Sequence, residues 1–184
     1  MRFVGGKKYM HVMKSALLSI IFSFVFTGRA ETTLLPTHDG KTLNVNWNLR
    51  IEKLKENGAI LTSEKYNIYE YDNLLLFQFT SGSKLKKVSI RYSGESTGFC
   101  ERTFEKMLKY YYDQGIPCKV EYYRKIGMMS SMMIWFEVPG NIFVVLEHLI
   151  IQTSESKISS VFIHAYNSQY YSKANIVKGY KRTD

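Results

Sequence analysis

The sequence is poor in the residues that usually announce chemistry. It holds two cysteines and four histidines in 184 residues. It contains no Gly-x-Ser-x-Gly, no His-Glu-x-x-His and no phosphate-cradling glycine loop outside its first residues. Cys100 and Cys118 are too far apart for a Cys-x-x-C redox pair. No histidine lies near either in sequence, which speaks against zinc. No apolar run reaches the about 20 residues of a comfortable membrane span, and there is no internal repeat or low-complexity tract. No cofactor and no metal are therefore expected.

What is present begins with an address. Lys7, Lys8, His11 and Lys14 precede the uncharged run "SALLSIIFSFVFTG", and Gly28 and Ala30 stand at −3 and −1 before Glu31. A basic segment, a short apolar segment and two small residues describe a secretory signal peptide over residues 1–30, cleaved after Ala30. Met13, followed by Lys14, would serve equally well as a start. The expected location is periplasmic or secreted, with the membrane met only through the signal. Removing it changes the charge argument. The chain carries 25 Lys+Arg and 16 Asp+Glu, a net of +9, but Arg2, Lys7, Lys8, Lys14 and Arg29 belong to the signal. The rest has 20 cations against 16 anions, a net of +4, too mild to point to nucleic acid.

Residues 31–42 read as a leader, 43–166 as one α+β domain and 167–184 as a basic, Tyr-rich tail. Leu43, Val45, Trp47, Leu49 and Ile51 alternate with polar residues, which predicts a half-buried strand, and Asn57-Gly58 predicts a hairpin turn after it. Further strands are expected over 60–71, 74–79 and 86–92, in a meander. Cys100, Phe104, Met107, Leu108 and Tyr111 recur at helical spacing, so a principal helix is expected over about 100–114, closed by Gly115 and Pro117. Strands follow from Cys118, across "MMSSMMIWFEV", and over "ISSVFIHAY", with a type II turn at Val138-Pro139-Gly140-Asn141. "IFVVLEHLIIQ" fits a buried strand or a helix, and its β-branched content favours the strand. The sum is an antiparallel sheet of about seven or eight strands with one helix on one face.

The export signal favours a disulfide between Cys100 and Cys118. A helix of about 21 Å between them works against Cα atoms about 5.5–6 Å apart. Two readings stay open: a bond across a shortened helix, or two core thiols. "MMSSMM" (Met128–Met133) divides its thioethers between two strand faces, which suits core packing better than Cu(I).

The expected function is a non-catalytic protein-binding module outside the cytoplasm: an inhibitor, an immunity-type protein or an envelope accessory. Tyr122, Tyr123, Tyr170, Tyr171, Lys178 and Tyr180 are the candidate contact residues, since tyrosine buries apolar area while keeping a polar tip. The competing reading is a small secreted hydrolase or toxin using Glu147, His148 and His164, which would have to converge in one cleft. A third class, an effector acting on anionic surfaces, would need "KLKK" (Lys84–Lys87) and the tail to form one face.

Overall fold

A computed structural model describes residues 32–94, 97–138 and 142–180. The expected signal peptide and the Pro139-Gly140 turn lie outside the described residues. The described residues form ten strands and three helices: β1 (Thr32–Pro36), β2 (Thr42–Asn46), α1 (Ile51–Glu56), β3 (Ile60–Ser63), β4 (Ile68–Tyr71), β5 (Leu75–Phe79), β6 (Leu85–Gly94), α2 (Thr97–Asp113), β7 (Cys118–Ile126), β8 (Met129–Val138), β9 (Ile142–Gln152), β10 (Lys157–Asn167) and α3 (Lys173–Tyr180).

The architecture is α+β, as the residue pattern predicts. One eight-stranded sheet has the order β3-β4-β5-β6-β10-β9-β8-β7, and every neighbouring pair is antiparallel. It consists of two four-stranded meanders. α2 carries the chain from β6, in the middle, to β7, at the far edge, and the second meander returns until β10 pairs with β6. That β6–β10 seam joins residues about seventy positions apart, such as Ser89 and His164.

α2 lies on one sheet face because its apolar stripe has a partner there. Cys100, Phe104, Met107 and Tyr111 are buried with Val88, Ile90, Val144, Leu146, Val161 and Ile163 in the main core. Tyr111 stacks on Phe136 at 4.4 Å between ring centroids. The β1–β2 ribbon and α1 share this core through Leu35, Leu43, Val45, Trp47, Ile51 and Leu54. On the opposite face, among the described residues, Ile176 and Val177 of α3 pack with Met133, Trp135, Val145 and Tyr166.

Several local expectations are corrected. The strand foreseen from Leu43 to Glu52 stops at Asn46. The Asn46 side-chain Oδ1 accepts from the Asn48 amide at 2.9 Å, and Leu49 N–H donates to the Asn46 carbonyl at 3.1 Å. This side-chain turn competes with the ladder, and Ile51 and Leu54 are then buried from a helix rather than a strand. Asn57-Gly58 ends α1 instead of making a hairpin. Gly58 has φ +90° and Ala59 N–H bonds the Leu54 carbonyl at 3.0 Å, a helix C-terminus that favours glycine. The stretch read as a leader contains β1, which pairs with β2 and sends Thr33 and Leu35 inward. The strand foreseen over 60–71 is two strands, and the tail forms α3.

No disulfide joins Cys100 and Cys118. Cys100 sits in the first turn of α2, which continues unbroken to Asp113 before Cys118 opens β7, so the shortened helix that the bond required does not occur. Cys100 is wholly buried and its thiol donates to the Ser159 carbonyl at 3.2 Å. Among the described residues no helix is long and apolar enough to cross a membrane.

Candidate functional site

Strand alternation decides which candidate residues meet. Glu147 and His148 are neighbours in β9, so they point to opposite faces. His148 faces α2, where its Nε2 hydrogen-bonds Ser159 Oγ at 2.8 Å and its ring lies 5.6 Å from that of Phe104. Burial lowers its pKa, helped by Lys157 and opposed by Glu101. Glu147 and His164 come together on the other face, without His148.

There a polar chain crosses four strands. Ser131 Oγ on β8 donates to Glu147 Oε1 on β9 at 2.7 Å. Glu147 Oε2 lies 3.5 Å from His164 Nε2 on β10. His164 Nδ1 is 2.8 Å from Ser89 Oγ on β6. The register explains each step: His164 stands directly opposite Ser89, while Glu147 and Ser131 are diagonal neighbours across adjoining strands.

Electrostatics fix the protons. His164 is buried, stacked against Phe162 at 5.6 Å, and its pKa is pushed down to about 4 by burial and by Lys87, against the pull of Glu147. It is therefore neutral at pH 7. Burial raises the Glu147 carboxyl, but hydrogen bonds from His164 and Ser131, with the positive charge of Lys87 nearby, bring it below its usual value. An ionised carboxylate only accepts, so the one imidazole proton sits on Nε2 and Ser89 O–H donates to Nδ1.

Chemically this is a hydroxyl–imidazole–carboxylate string, the order used to activate a serine. Two features restrain it. Ser89 is 4% exposed, and it belongs to an interior strand whose backbone groups are paired with β5 and β10. Acyl transfer needs free donors aimed at the developing oxyanion, and the ladders use those amides. Among the described residues no group of three or more His, Cys, Asp or Glu could hold a metal.

The candidate contact residues are scattered. Tyr123 on β7 is 66% exposed, and its direct cross-strand neighbour Met132 is 39% exposed. Tyr171 docks on the domain, donating from its hydroxyl to Gln78 Oε1 at 3.1 Å and meeting the Tyr166 ring edge-on at 5.0 Å. Tyr170 stays exposed beside it. The side chains of Tyr122, Lys178 and Tyr180 lie outside the described residues. Ser89 and Ser131 were missed from sequence, although their inward or outward parity was readable; Lys87 was named only as part of the "KLKK" basic stretch. Comparison with family models, with curated proteins and with solved structures finds no match to this chain.

Proposed function

We propose that the chain is an exported, non-catalytic module that binds another protein, of the inhibitor, immunity or envelope-accessory kind. One observation carries this reading: Tyr123 and Met132 form an exposed cross-strand pair on the β7–β8 hairpin. Met128, also exposed, sits at the hairpin turn. Exposed Tyr and Met side by side are enriched where proteins dock and depleted where they do not, and among the described residues β7 is also an edge strand of the sheet. A photo-crosslinking residue placed at 123 or 132 should give a discrete adduct in the compartment where the protein resides. The same group at Lys106, on the exposed side of α2, should give none. Equal yields at all three positions, or no adduct, would overturn the proposal.

A second reading, a small serine hydrolase, is favoured by the Ser89–His164–Glu147 string alone. Ser89 Oγ would attack an acyl carbon while His164 Nδ1 takes its proton. A fluorophosphonate probe that labels the wild type and spares Ser89→Ala would support it. Absence of labelling at Ser89 would leave the string as a structural network within the sheet.

A further inference from the structure

We propose that Lys86 and Lys87, with the two tyrosines they stand over, Tyr171 and Tyr166, form a binding site for a phosphate-bearing anion. Two basic, aromatic stretches far apart in sequence meet here. Lys87 Nζ lies 4.8 Å from the centroid of the Tyr166 ring, Lys86 Nζ lies 5.8 Å from that of Tyr171, and the two rings touch edge to face. The hydroxyl of Tyr171 is anchored on Gln78, so the cluster is held from β5, β6, β10 and the segment after it.

Consecutive residues of a regular strand cannot serve one site, because they face opposite ways. The β5–β6 register resolves this. Gln78 pairs with Lys87 and Phe79 with Leu85, so Lys86 is the extra residue of a bulge. A bulge re-aims one side chain, and here it lets both ammonium groups reach the same pair of tyrosines.

The two cations also lack what their neighbours have. Lys173 is engaged with Glu137 at 3.3 Å, but neither Lys86 nor Lys87 forms an ion pair or hydrogen bond with a described residue. Glu147 acts on Lys87 only through space. Burial pulls the Lys87 ammonium down to about 8, the mark of a desolvated cation without an acceptor. Desolvated cations are stabilised by charge-assisted hydrogen bonds. A tetrahedral phosphate offers enough oxygens to accept from both ammoniums at once. The site lies on the sheet face opposite Tyr123 and Met132, so it stands or falls independently of the protein-binding reading.

The test uses inorganic phosphate and, separately, vesicles of phosphatidylcholine with or without phosphatidylglycerol, against the wild type and Lys86→Gln/Lys87→Gln. Phosphate should shift the Tyr166 and Tyr171 ring resonances saturably and raise the Lys87 pKa. The double variant should bind about tenfold more weakly or worse while keeping its circular dichroism and melting temperature. Lys86→Gln alone, at a bulge residue outside the ladder, keeps the test valid if the double variant misfolds. Response to free phosphate identifies a soluble ligand; co-sedimentation with anionic vesicles only identifies a lipid headgroup; either supports the site. No response to both probes, or a variant that responds like the wild type, overturns it.

Discussion

Acid should unfold this protein through His164. The imidazole is buried beneath Phe162 and Tyr166, and its pKa is about 4 against about 6.5 in an unfolded chain. Between those values the unfolded state binds a proton that the folded state refuses. Stability must therefore rise with pH across this window and be lost as pH falls from about 6.5 toward 4. From pH 7 to pH 5 the loss from this one group, a side chain only 11% exposed, is about 2 kcal/mol. The lowered pKa of Glu147 adds a loss of the same sign at lower pH. The assay is guanidinium denaturation of the wild type and His164→Gln at pH 7, 6, 5 and 4.5. The wild type should lose about 2 kcal/mol more than the variant between pH 7 and 5. Parallel curves for the two proteins would refute the reasoning, as would an imidazole C2-proton titration placing His164 above 6.

Other outcomes follow from single groups. Tyr111 is buried against Phe136, and its hydroxyl has no hydrogen-bond partner among the described residues. Tyr111→Phe should therefore stabilise by about 1 kcal/mol, a melting-temperature gain of about 2–4 °C; a loss would mean the hydroxyl is satisfied. Trp47 Nε1–H donates to Thr33 Oγ1 at 2.9 Å in the buried ribbon, so Thr33→Val should cost about 1–3 kcal/mol by stranding the indole proton. Denatured under non-reducing conditions, the protein should take two alkyl labels, at Cys100 and Cys118, and Cys100 should resist labelling while folded because it is wholly buried. A mass lower by two hydrogens with no labels would contradict the unbonded pair.

The elements that could be read from sequence were those whose pattern is set by one neighbour. The stripe of α2 announces itself because one side of the helix is buried and the other is wet. Val88, Ile90 and Tyr92 do the same for β6. β9 was harder because it is buried on both faces, by α2 on one side and α3 on the other, so its periodicity vanishes. The failure at Asn46 has a different origin. Leu43, Val45 and Trp47 do alternate, but a local side-chain hydrogen bond ends the strand, and Leu49 and Ile51 continue the same pattern by coincidence. The separation of Glu147 from His148 was readable in principle, since adjacent strand residues never share a face. What period two cannot supply is register. It says that Ser89 and His164 each face away from α2, not that they stand opposite one another.

Both polar clusters depend on that register. Ser89 and Lys87 come from the first meander, and His164, Tyr166 and Glu147 from the second. Neither half of the chain contains either cluster, and each is completed only when β10 closes onto β6. A slip of one residue along the seam would turn His164 and Tyr166 into the core and Ile163 and Ala165 out to water. The core contacts of Val161, Ile163 and Ala165 thus fix the polar face as firmly as they fix the apolar one. Sequence differences that weaken those three contacts should therefore disturb the imidazole of His164 and the ammonium of Lys87 before they unfold the sheet. Ala165→Gly, which loosens the seam without adding a clash, should broaden both resonances while leaving α2 and its packing on Phe136 intact. Sharp, unshifted resonances in that variant would mean that the register is held elsewhere, as in the turn that leads into β10.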